Sequence, residues 1–172
     1  AQAEIAPLAS AMDAAGQYDP SVLPKLFEMG LMGIDVPEAY GGAGGTFFQA
    51  CLAVEALSRA DAAVGVLVDV QNTLVAYPLL TAASDDQKAR YLPALCDSKV
   101  GAYALSEANS GSDAFALQTR AERKGDDWVL TGRKLWITNG AEAEVFIVFA
   151  NADPAKGYKG MLVSPLPVPR AI

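Results

Sequence analysis

The sequence predicts an α+β fold, helical in its first half and built of strands in its second. Three observations carry this. Up to about residue 98, apolar residues recur at helical spacing between capping signals. From Lys99 onward the apolar runs are short and are separated by Gly, Asp and Asn. With 172 residues, 52% of them hydrophobic, the chain can bury one large core or two small ones.

The elements follow in order. Residues 3–15 form an alanine-rich helix, already under way near Ala1, that stops at Gly16. Asp19 is the expected N-cap of the next helix, with Pro20 at its first position and Val22, Leu23, Leu26 and Phe27 as the apolar stripe. Gly30 ends it. Thr46-Phe47-Phe48-Gln49 reads as a capping box, with Phe47, Cys51, Val54 and Leu57 on one face behind it. From Asp61 the chain is apolar nearly all round, as in a helix buried among others. Asp69, Gln71, Asn72 and Pro78 interrupt that run, which argues against a membrane span. Ser84-Asp85-Asp86-Gln87 is a second capping box, followed by Tyr91, Leu92 and Leu95. Strands are expected over 100–106, 118–124, 128–131, 135–138 and 145–150, with a hairpin turn at Gly125-Asp126-Asp127. Pro165, Pro167 and Pro169 stand at alternate positions and are expected to bar a central strand, so the ending reads as a truncation, a splice product or a frame change.

Composition excludes several kinds of chemistry. The net charge of −7 argues against a nucleic-acid partner, which needs clustered Lys and Arg. There is no histidine, so neither a Ser-His-Asp triad nor a His-based metal site can form within the chain. Cys51 and Cys96 both fall in apolar helical patterns and read as reduced core residues, not as a disulfide. No basic and apolar leader precedes Ala1, so targeting information is expected to be absent or removed.

Two segments carry the chemistry. Tyr103-Ala104-Leu105-Ser106-Glu107-Ala108-Asn109-Ser110-Gly111-Ser112-Asp113 passes from β-prone and apolar to small, hydroxylated and glycine-bearing. That is the pattern of a strand ending in a ligand-binding loop. Trp136-Ile137-Thr138-Asn139-Gly140 places an indole beside a hydroxyl. An aromatic plate and two hydroxyl-rich strand ends suit a planar polar ring. Read alone, Ser106 and Ser112 are equally turn residues, and Trp136 and Thr138 equally core and strand residues. Glu107 and Asp113 are not read as an acid–base pair, since Asp113 suits a cap on the following segment. The loop Pro37-Glu38-Ala39-Tyr40-Gly41-Gly42 lacks the lysine of a phosphate loop and reads as structural.

These segments resemble the acyl-CoA dehydrogenase family, and within it the short/branched-chain members. Met29-Gly30-Leu31-Met32-Gly33-Ile34-Asp35-Val36-Pro37-Glu38-Ala39-Tyr40-Gly41-Gly42 and Asp69-Val70-Gln71-Asn72-Thr73-Leu74-Val75 extend the resemblance upstream. It implies a helical N-terminal domain over 1–98 and a partial, antiparallel β-barrel-like middle domain over 99–172. The C-terminal four-helix domain of the family has no counterpart in these residues. The resemblance further implies FAD as cofactor and acyl-CoA as substrate, α,β-dehydrogenation as the reaction and an electron-transfer flavoprotein as acceptor. An acyl-CoA oxidase or a flavin monooxygenase of the same fold is the alternative enzyme, and a non-catalytic fragment or flavin-binding module the alternative to an enzyme. It implies a homotetramer for the intact protein, in the mitochondrial matrix of a eukaryote or the cytoplasm of a bacterium. Tyr103, Leu105, Ser106, Gly111, Ser112, Trp136, Ile137 and Thr138 would meet the flavin, and Ser112 and Tyr158 the acyl-CoA. Relatives often carry glycine where Asn109 stands, and asparagine tolerates the left-handed backbone best after glycine. No residue matches the family's catalytic glutamate, so no catalytic base is assigned.

Overall fold

The computed structural model describes residues 1–167. The chain divides into two compact units, Ala1–Val100 and Gly101–Ile172.

The first unit is helical: α1 (Ala6–Ala15), α2 (Val22–Glu28), α3 (Phe47–Ser58), α4 (Ala62–Asp69), α5 (Tyr77–Ala82) and α6 (Asp85–Asp97). The residues before Ala6 form turns, not the helix expected from residue 3. Asp19 does not cap α2. Its carboxylate accepts from the amide and hydroxyl of Ser21 at 2.9 and 2.6 Å, and this small turn moves the N-cap to Ser21. Both capping boxes are present, Thr46 with Gln49 and Ser84 with Gln87. The inward face of α3 differs from the expected one. Ala50 and Leu57 are buried, whereas Phe47 is 60% exposed and Cys51 is exposed, so Cys51 is no core residue; Cys96 is buried. Phe47 and Cys51 instead line an open cavity with Asp69, Asn72 and Thr73, whereas the tight helix contact lies at the other end of α3, where a side chain on Gly65 of α4 would collide with Ser58.

A π-helical segment, Val70–Ala76, joins α4 to α5, and together they span residues 62–82. This run is long and apolar enough to cross a membrane by length and composition alone. Its contacts are those of a core helix. Val64, Leu67, Val68, Val75 and Leu79 are buried, and its buried polar residues, Gln71 and Asn72, bond to the protein's own backbone. Asn72 donates to the carbonyls of Leu31 and Val68 at 2.9 and 2.8 Å and accepts from the Ile34 amide at 2.7 Å. Gln71 donates to the Leu95 and Lys99 carbonyls at 2.8 and 3.0 Å.

The second unit contains one sheet: β1 (Gly101–Ala104), β2 (Arg120–Lys124), β3 (Asp127–Thr131), β4 (Val145–Asn151) and β5 (Met161–Pro167). The sheet is mixed, not wholly antiparallel. β2 and β3 form the expected hairpin, with Gly125 at φ 64° in its turn. β1 instead pairs β4 in parallel, which the long connection between them permits. β5 pairs β4 antiparallel along its length, Met161 opposite Asn151 and Pro167 opposite Val145. The proline-bearing segment is therefore a strand, and it escapes the expected bar because among the described residues it pairs on one side only. Residues two apart turn their backbone nitrogens to the same edge, so Pro165 and Pro167 can both withhold a donor from the open side. Pro169 lies outside the described residues. Residues 135–138 are not a strand but part of the loop between β3 and β4.

Candidate ligand site at the end of the first strand

β1 ends at Ala104, and the chain leaves the sheet through Leu105, Ser106 and Glu107. A one-residue bridge closes the loop, with the Glu107 amide donating to the Ser110 carbonyl at 2.9 Å and the reverse bond at 3.1 Å. Ser110 is buried and its hydroxyl donates to the Asp113 carbonyl at 3.1 Å. Asp113 accepts from the Phe115 amide, as a cap does. Gly111 and Ser112 are exposed, and nothing stands within 4 Å of where a Gly111 side chain would begin. Asn109 does not use the left-handed backbone; among the described non-glycine residues only Trp136 and Asn139 do, at φ 58° and 63°.

The second motif is tied to the first by backbone contacts. The Leu135 amide donates to the Ser106 carbonyl at 2.9 Å, and the Lys134 ammonium to the Leu105 carbonyl at 2.9 Å. Asn139 donates to the Gly101 carbonyl at 3.1 Å. Residues 134–139 are thereby stitched to β1 at both its ends. Between the two stitches Trp136 projects with 92% of its surface exposed. A bulky residue at φ 58° costs about 1–3 kcal/mol, so the loop holds the indole outward against both backbone strain and hydrophobicity. Thr138 is exposed beside it and Ile137 is half-buried.

Glu107 is the electrostatic centre of this corner, and Lys134 is the partner that motif reading passed over. The Glu107 side chain is 8% exposed and that of Lys134 12%. Their charged atoms are 2.7 Å apart. Glu107 also accepts from the Gln118 and Thr119 amides at 2.6 and 3.0 Å and from the Thr119 hydroxyl. Burial works to raise this carboxyl's pKa, but the bonds from Lys134, Thr119 and Gln118 outweigh it and hold it at about 2. A carboxylate so engaged is a poor proton acceptor. The only advance signal for Lys134 was its place two residues before the tryptophan.

The remaining residues of interest are spread more widely. Tyr103 packs its ring on Phe149 at 4.8 Å, and burial raises its phenol pKa. Tyr158 is exposed and its ring packs at a tilt against that of exposed Phe115, with centroids 5.6 Å apart. In the first unit, a cavity of about 290 Å³ lies between α3 and the π segment, lined by Phe47, Cys51, Val54, Asp69, Asn72 and Thr73 among others.

Residues 1–99 match the family model for the acyl-CoA dehydrogenase N-terminal domain, and residues 102–169 that for the middle domain. The chain is 46% identical over 161 residues to the mitochondrial short/branched chain specific acyl-CoA dehydrogenase of Rattus norvegicus, covering 94% of this chain and 37% of the relative. It is 48% identical to a probable short/branched chain specific acyl-CoA dehydrogenase of Dictyostelium discoideum, covering 94% and 39%. Butyryl-CoA dehydrogenase of Megasphaera elsdenii superposes with TM-score 0.92 at 35% identity, over 96% of this chain and 45% of that one. A chain from a structure of the electron transferring flavoprotein of Acidaminococcus fermentans gives TM-score 0.93 at 37% identity, over 97% and 44%. The chain thus spans well under half the length of the relatives it matches.

Proposed function

Because this chain belongs to the acyl-CoA dehydrogenase family, we propose that the whole protein dehydrogenates short or branched acyl-CoA thioesters with FAD as cofactor. The observation that carries this is the outward-held Trp136 next to the bond between Leu135 and Ser106. A flavin ring needs an apolar plate on one face and hydrogen-bonding groups at its edge. Trp136 offers the plate. Leu105, Ser106 and Thr138 offer backbone groups and hydroxyls, and Gly111 and Ser112 leave open space for close approach. The residues present therefore fit the group, with Tyr103 and Ile137 as further proposed contacts of the ring.

FAD, when bound, supplies the hydride-accepting chemistry, and the protein supplies orientation. This chain's share is to hold the ring and to exclude water from the face that Trp136 covers. Ser112 and the exposed Tyr158 are the proposed contacts of the acyl-CoA. Glu107 is committed to Lys134 and to the backbone, so the carboxylate that removes the substrate's α proton is not assigned to this chain. The proposed electron acceptor is an electron-transfer flavoprotein, and the proposed assembly of the whole protein is a homotetramer. The eukaryotic relatives' mitochondrial location is the proposed compartment if the source is a eukaryote.

The test is an absorbance titration of the chain with FAD. Binding should be seen as a perturbed flavin spectrum, and Trp136→Ala should weaken it by about 1–3 kcal/mol, the worth of stacking on an aromatic plate. Equal binding by Trp136→Ala would overturn the site. Rapid peroxide formation in air by the whole protein would overturn the dehydrogenase reading in favour of an oxidase.

A further inference from the structure

We propose that Glu107 and Lys134 form a positioning pair that sets the backbone of Leu105 and Ser106 for the ring that this corner receives. The inference rests on the FAD reading for its ligand, but its geometry stands independently. The Lys134 side chain bonds both to the β1 exit, at the Leu105 carbonyl, and to Glu107. Glu107 in turn holds the Gln118 and Thr119 amides just before β2. One buried charge pair therefore fastens three chain segments: 105–107, 118–119 and 134–135. The neighbouring bond from the Leu135 amide to the Ser106 carbonyl can form only when 134–135 lies against the strand end. Gly132 supports the arrangement, because a side chain there would run into Thr119. The hairpin of β2 and β3 and the pairing of β4 with β5 involve neither residue. Glu107 already accepts four hydrogen bonds from within the chain, so its place is beside the ligand's contacts, not among them.

Amide hydrogen exchange on the whole 172-residue chain tests this without flavin. In Lys134→Met the Leu135 amide should exchange about tenfold faster or more, as follows when a buried bond loses its support. Amides of the β2–β3 hairpin and of α6 should be unchanged. Lys134→Arg should restore much of the protection. If Lys134→Met does not fold, because it orphans a buried carboxylate, the double variant Glu107→Gln with Lys134→Met removes both charges and carries the same expectation. Unchanged Leu135 protection in whichever of these variants folds overturns the proposal. A second arm measures FAD affinity by absorbance. Affinity should fall about tenfold or more in the loosened variant and recover in Lys134→Arg. Loosened exchange with unaltered FAD affinity overturns the link to the ring. A chain that binds no flavin in its unmodified form overturns the FAD reading, and with it this ligand role, while the exchange result still decides the positioning pair.

Discussion

Asn72 and Trp136 sit in two stretches that resemble the same family, and the fold treats them in opposite ways. Asn72 is buried in the first unit and spends its amide on three backbone groups. Trp136 in the second unit is almost wholly exposed and sits in a conformation that a bulky residue avoids. A polar residue inside and an apolar one outside are each the costly choice for their type. The first cost is repaid within the chain by hydrogen bonds. The second is not repaid by contacts among the described residues, which is why it points to a ligand.

The sharpest way to break this contrast is at Asn72. Asn72→Leu leaves the Ile34 amide and the Leu31 carbonyl buried without their partner, and the expected loss is about 3 kcal/mol or more. Denaturant unfolding followed by helix signal measures it; a loss below about 1 kcal/mol would mean water replaces the amide.

Acid should separate the two units next. The Glu107 pKa is depressed from 4.5 to about 2, so its contribution to the second unit is complete above about pH 4.5 and is lost as pH falls toward 2. Asp35 in the first unit has the opposite sign. Burial raises its pKa above 3.8, and its Oδ1 has no hydrogen-bond partner among the described residues. Its ionised form is a burden, relieved as pH falls through that raised value. Between pH 5 and pH 3, corrected exchange protection should fall at the Thr119 amide and not in α6. The reverse order would refute the assignment.

Trp136→Gly sharpens the comparison by splitting stability from binding. Glycine adopts φ 58° freely, so thermal stability should hold or rise by about 1 kcal/mol, whereas flavin affinity should drop. A stability loss would mean that the indole packs after all. The smallest effect belongs to Thr138→Val, an exposed position, with stability within about 0.5 kcal/mol and any change confined to flavin reactivity. A calorimetric scan and a flavin reduction assay read the two separately.

Local patterns made much of this fold legible. Both capping boxes, the buried run after Asp61 and the hairpin at Gly125 are decided by residues close together along the chain. Errors arose where two segments had to meet. Asp19 matches a cap until its carboxylate finds Ser21 first. Phe47 and Cys51 match a core stripe, but they border a cavity with Asp69, Asn72 and Thr73, residues that only the fold brings to them. Residues 135–138 have strand composition, but their bonds go to a strand exit and not to a ladder.

The sequence by itself determined the helical-then-sheet division, the family resemblance and the two hydroxyl-bearing segments, because all are carried by neighbours along the chain. Only the tertiary structure decided that β1 and β4 run parallel and that the proline-bearing segment serves as a strand. It alone decided that Glu107 is clamped by Lys134 and that Trp136 faces outward. Each of these depends on a partner far away in sequence, and a charge or an indole does not announce which distant group will meet it. That choice is made by burial and by the demand that every buried polar group find a partner.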